Sequence, residues 1–345
     1  MAWGLRGLVT VGLCVFLFRR FDLGAVRPIL ANLSPAYGAA ALLAALLANV
    51  AYALAPAPLF RTCGVTLPAR LLIRNQFLGM FFSLFLPTAV GGDVARVVDL
   101  SRGAQPVSLA AAASMVLVQR LLALLVAVAL VAAAMPGHAP STTLGAARVS
   151  GIVLLVMLVG AVAIALTPRR WIHAEDSAAP AGSLRIAASR IHDLLTTRGG
   201  FLALLGAAVA CLVSQLLFVA ATWLLDLGLG VGVAPIHYVY VVPLAAVAVT
   251  APVSINGIGI REGIYIYYLG QIGISAPNAA AVSISLFLLN TLLAALGGLA
   301  WASSPVRNTE PATPAAEAPA TPSPAGTVPP TASPNDWVPS GPPAG

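Results

Sequence analysis

Leu86-Pro87-Thr88-Ala89-Val90-Gly91-Gly92-Asp93-Val94-Ala95-Arg96 sets a proline, a glycine pair, an acid and a base directly after the apolar run 77–86. Non-helical backbone at membrane depth is tolerated only where protein or a water-filled cavity satisfies its polar groups. An ionisable residue at such a break is by default a functional-site candidate. The design recurs in Pro252-Val253-Ser254-Ile255-Asn256-Gly257-Ile258-Gly259-Ile260-Arg261-Glu262. Both segments read Pro-x4-Gly-x3-Arg, and no third copy exists.

The surrounding chain is a membrane chain. It is 59% hydrophobic and 8% charged, with a mean hydropathy of +0.93, where a soluble domain carries about 25% charged residues. All 18 basic residues are Arg, a bias that matches an Ala-rich, GC-rich coding background rather than a demand for guanidinium chemistry. The net charge of +7 comes from arginines spread along membrane-flanking loops. That pattern sets topology and attracts anionic lipid; it does not point to nucleic acid. Cys14, Cys63 and Cys211 are isolated, and His138, His173, His192 and His237 fall into no ligand spacing. Neither a disulfide framework nor a metal is expected, and no cofactor is expected.

A spanning helix needs about 20 apolar residues. Residues 8–18 read as a marginal first helix before Arg19-Arg20, and 36–60, 108–135, 149–166, 201–225 and 279–301 read as spans. The Phe-rich segment 75–86 is about half a crossing, and 238–251 and 264–274 are short segments flanking the second break. The fold class expected is an all-α integral membrane protein of about seven to eight transmembrane helices, with two broken or re-entrant helices readable as internal repeats. Residues 1–303 form the membrane domain. The arginine-bearing stretch 167–200 is its cytoplasmic loop by the positive-inside rule. The loops 136–147 and 226–235 carry no Lys or Arg and fall outside. Two arrangements stay open: both breaks on one face, or an inverted pair meeting near the midplane. In residues 304–345, 12 of 42 positions are Pro, which predicts a disordered tail, either a linker or a ligand for a protein partner.

Gly91 and Gly92 permit unusual backbone angles. Asp93 falls in a first helical turn, where the dipole favours it, and Arg96 follows on the same face. N–H groups at that start form an anion site, which Arg96 could clamp bidentately. The alternative is an interfacial Asp93–Arg96 ion pair that closes a loop. Gly257, Gly259, Arg261 and Glu262 repeat the pattern. Arg120, inside the span 108–135, needs a cavity, a partner such as Asp93 or Glu262, or room to snorkel. Asn75 reads either as a cap of the Phe-rich segment or as a head-group contact. Tyr238, Tyr240, Tyr265, Tyr267 and Tyr268 read as an interfacial belt. Asn49, Gln215 and Asn290 read as interhelical hydrogen bonds.

At these residues the chain resembles a known family. Asn75-Gln76-Phe77 leading into Leu86-Pro87 and Gly91-Gly92-Asp93-x-x-Arg96 is similar to the first signature of the flippase-like membrane domain of lysylphosphatidylglycerol synthases. Pro252 through Gly257-Ile258-Gly259-Ile260-Arg261-Glu262-Gly263 is similar to its second, and Leu296-Gly297-Gly298-Leu299 fits its end. Gln119-Arg120 stands where members often carry Glu-Arg, Asn256 where a second Gly is common, and Leu59-Phe60-Arg61 where an Arg-Trp pair often follows the second span. Full synthases add a soluble domain that transfers an aminoacyl group from tRNA to phosphatidylglycerol. The resemblance implies a stand-alone member that translocates or binds an anionic phospholipid or lipid-linked intermediate across the plasma membrane. Asn75, Pro87, Gly91, Gly92, Asp93, Arg96, Arg120, Pro252, Gly257, Gly259, Arg261 and Glu262 are the candidate binding set. Arg96 and Arg261 are expected on head-group phosphate, with Asp93 and Glu262 holding them or relaying protons. The alternatives are a membrane-embedded transferase on a lipid-linked donor, or a non-transporting partner of envelope-biosynthesis proteins. No catalytic constellation and no nucleotide-binding loop is apparent, so the chain is expected not to be an enzyme.

Overall fold

The computed structural model describes residues 28–85, 91–102, 107–138, 189, 191–250 and 259–302. Among them there are helices and no strands. Helix α1 (Pro35–Leu54) opens on a proline, which suits a first turn. It passes through Ala55-Pro56 into the short α2 (Ala57–Thr62). Then come α3 (Ala69–Phe85), α4 (Gly91–Arg102), α5 (Leu109–His138), α6 (Arg198–Leu229), α7 (Pro235–Val249), α8 (Ile260–Gly270) and α9 (Ala276–Ala302). Among the described residues, four stretches are long and apolar enough to cross a membrane: Pro35–Thr62, Leu109–Ala134, Arg198–Leu229 and Ala276–Gly298. They correspond to the expected spans 36–60, 108–135, 201–225 and 279–301. The expected spans 8–18 and 149–166, most of the loop 167–200 and the tail 304–345 lie outside the described residues.

The two sequence breaks separate pairs of short helices that fold back on each other. Arg74 and Asn75 of α3 reach Asp99 and Arg96 of α4, and Gly79 lies against Gly92. The start of α3 is therefore beside the end of α4. The approach at Gly92 requires glycine, because a Cβ there would collide with the Gly79 carbonyl and the Ser83 hydroxyl. In the second pair, Tyr240 near the start of α7 packs edge-on against Tyr268 near the end of α8, centroids 6.3 Å apart. This pair is antiparallel too.

The hairpins are inserted from opposite ends of the bundle. Leu72 and Leu100, at the open end of α3–α4, share a core cluster with Leu59, Phe60, Leu194 and Ala203, beside the start of α6. Tyr238, Val241, Tyr268 and Leu269, at the open end of α7–α8, cluster with Val131 and Ala134 of α5, with Val219 in the second half of α6 and with Val233 just beyond its end. Of the two arrangements left open by sequence, the helices adopt the inverted one.

Two expectations are corrected here. The aromatic belt fails at four of its five tyrosines: Tyr238, Tyr240 and Tyr265 are fully buried and Tyr268 nearly so, while Tyr267 is exposed. They fill the core between α5, α7, α8 and α9, where each ring packs as a large apolar group. The Tyr238 hydroxyl donates to Asp226 at 2.8 Å. The polar side chains Asn49 and Asn290 do not bridge helices; each donates to a carbonyl of its own helix, Ala45 and Leu286 respectively.

Leu202, Leu205, Val209, Leu212 and Leu216 form an exposed apolar stripe along α6. Their i, i+3, i+4 spacing puts them on one helical face. That face needs an apolar solvent.

Candidate functional site

Helix α4 carries the first signature's charges into the protein. Asp93 lies in its first turn, and Arg96, one turn later, is 4% exposed. The Arg96 guanidinium is held from three helices. Its Nε donates to Asn75 Oδ1 at 3.3 Å, and its Nη2 donates to Gln119 Oε1 at 2.7 Å. Its Nη1 is 3.6 Å from Asp93 Oδ1. Gln119 in turn donates to the Tyr52 carbonyl at 2.6 Å, and the Tyr52 ring lies under the guanidinium at 5.9 Å. A buried charge is tolerated when paired and hydrogen-bonded, and this one is.

Asn75 is committed to the same bracket. Its Nδ2 donates to the Arg96 carbonyl at 2.9 Å and to Asp99 Oδ2 at 3.1 Å. Helix α3 begins at Ala69, so Asn75 lies inside it and caps nothing. The capping reading placed the helix start too late, because the apolar run on which it rested begins only after Asn75.

Arg120 lies on the wall of a cavity. It forms an ion pair with Asp93 and keeps a quarter of its side chain exposed. Both residues line a cavity of about 270 Å³ among α1, α3, α4, α5, α6 and α7. Asn49, Tyr52, Gln76, Ser214, Gln215 and Thr250 supply the other polar side chains of its wall. Ala123, Leu124, Ala127, Phe218 and Ala246 supply the apolar part, and Cys211 completes it. Asp93 comes from the first hairpin, and Ala246 and Thr250 from the second. The cavity thus lies where the two insertions approach each other.

The second signature builds a different local structure. Gly259 is the residue before α8, with φ 89°, a left-handed value that favours glycine. Glu262 Oε2 accepts the Gly259 N–H at 2.6 Å. Its Oε1 accepts from Arg261 Nη2 at 3.1 Å and from the Ser283 hydroxyl at 3.4 Å. Arg261 also lies over the Phe287 ring at 4.9 Å. This cluster joins α8 to α9 and does not line the cavity. Pro87, Pro252 and Gly257 lie outside the described residues, while Gly91 and Gly92 are buried at the start of α4.

Sequence reading missed most of the cavity wall. Ser214 and Thr250 carry no motif and Gln76 stood in the first signature without a role of its own, and only the crossing of six helices brings them together. It also missed Asp226. This buried carboxylate accepts N–H bonds from Gly232 and Val233 and the Tyr238 hydroxyl, fixing the turn from α6 to α7. An acid in the last turn of an apolar span was the available signal. Among the described residues no cluster of His, Cys, Asp and Glu could hold a metal.

Among the described residues, four long apolar helices and two inverted helical hairpins, with a cavity that holds an ion pair between them, define a multi-pass helical membrane protein. The chain belongs to the lysylphosphatidylglycerol synthase TM region family, whose model matches residues 3–298. No curated protein and no solved structure matches it.

Proposed function

We propose that this protein binds the head group of an anionic phospholipid or lipid-linked intermediate in the central cavity and carries it across the plasma membrane without chemical change. The observation that carries this reading is the Asp93–Arg120 pair on the wall of a cavity between two hairpins inserted from opposite ends of the bundle. In a membrane each hairpin is a re-entrant pair, and opposed half-helices around a midplane site are a recurring transporter design. The family's link to membrane lipid supports the same substrate class. In this reading Arg120 contacts the phosphate, because an exposed guanidinium matches a phosphate bidentately. Asp93 orients it. Arg96 sets the wall from behind, and Arg261 and Glu262 anchor the second hairpin.

The test is lipid movement in proteoliposomes with fluorescent anionic and zwitterionic lipids. Wild type moves the anionic lipid faster, and Arg120→Gln lowers the rate at least about tenfold, the cost of one charge-assisted bond. An Arg120→Gln protein that folds and moves lipid at the wild-type rate removes the proposal.

A further inference from the structure

Two consecutive amides on α3 are used very differently. Asn75 spends both ends of its side chain on Arg96 and Asp99. Gln119, across the bracket on α5, spends both ends of its own on Arg96 and Tyr52. Gln76 lines the cavity and is 7% exposed. Its Oε1 is buried and has no hydrogen-bond partner among the described residues. A buried carbonyl oxygen left unpaired in a native fold calls for an explanation, and a ligand is one. The amide of glutamine turns easily about its last torsion, whose energy profile is broad. Turned about that torsion, Oε1 enters the cavity and can accept one hydrogen bond.

From this we infer that Gln76 is the head-group selector of the cavity: it accepts a hydrogen bond from a hydroxyl or ammonium group carried beside the phosphate that Arg120 engages. The ligand class is therefore a phosphodiester lipid with a donor on its head group, not any anionic lipid. This rests on the lipid reading above and adds a residue and a selectivity to it. A site built around an acceptor rejects an analogue lacking the donor, because the acceptor is then left unpaired.

The test is binding of two matched monoanionic diesters, phosphatidylglycerol and phosphatidylmethanol, to the full chain in nanodiscs of phosphatidylcholine. The first has head-group hydroxyls and the second has none. Wild type binds phosphatidylglycerol about fivefold tighter, the effect of one hydrogen bond. Gln76→Leu and the near-isosteric Gln76→Met abolish that preference and still bind phosphatidylmethanol, no more weakly than wild type because the unpaired acceptor is gone. Retained binding of that lipid also shows that the variants are folded. Soluble glycerophosphoglycerol, the same head group without acyl chains, binds at least about tenfold more weakly; equal affinity would overturn the lipid as the source of the head group. Equal wild-type affinity for both lipids, still lowered by Arg120→Gln, overturns the role of Gln76 and leaves the lipid reading standing. A preference that survives in both Gln76 variants does the same. Binding of neither lipid by wild type overturns both.

Discussion

Arg96 and Arg120 are both intramembrane arginines within reach of Asp93, and their surroundings give them opposite duties. Arg96 is enclosed, with donors committed to Asn75 and Gln119 and a carboxylate nearby. Arg120 shares that carboxylate but faces the cavity. Removing Arg96 leaves Asp93 paired with Arg120 but strands the side-chain carbonyls of Asn75 and Gln119 in a buried setting, and each buried acceptor left unpaired costs about 1–3 kcal/mol. Arg96→Leu should therefore lower the thermal midpoint in detergent sharply, while Arg120→Gln shifts it little. Equal midpoints for wild type and Arg96→Leu would contradict the bracket. At this scale the sequence was partly legible. It marked Asp93, Arg96 and Arg120 by their charge in an apolar chain. Which arginine faces inward depends on how α4 crosses α5, and residue types do not encode that crossing. The tyrosines misled for a similar reason: an aromatic with a polar tip suits an interface and a satisfied core equally well.

The elements that matter are the two short-helix pairs. Their existence was written in proline and glycine, and the breaks fall where the duplicated segments stand. Their direction of insertion was not legible, because 238–251 reads either as a full crossing or as a half-helix. Packing decides it, through the clustering of Leu72 and Leu100 with the start of α6 and of Tyr238 and Tyr268 with its end. In a membrane the ends marked by Arg102 and Ser275, both exposed, belong to opposite faces. With Cys14, Cys63 and Cys211 replaced by Ala, Arg102→Cys should react with a membrane-impermeant maleimide from one side only. Ser275→Cys should react from the other. Labelling of both from one side would contradict the inverted arrangement.

At the scale of the whole molecule, the exposed surface and the interior offer a lipid two different environments. The leucine stripe of α6 suits acyl chains along its length. The cavity has an ion pair and polar side chains suited to a head group. The membrane character of the chain was legible from composition, because 8% charged residues is far below the about 25% of a soluble domain, whereas the number of spans was not. The cavity was not, since its wall is assembled from six helices far apart in sequence. The measurement that tests the account most directly uses an anionic phospholipid with a photoreactive group on its head, cross-linked in the membrane and mapped by mass spectrometry. The account predicts adducts on the cavity wall, on α5 around Ala123–Ala127 and on α6 around Ser214, which unlabelled lipid competes away and Arg120→Gln diminishes. Adducts confined to the exposed stripe Leu202–Leu216, unchanged in Arg120→Gln, would contradict it.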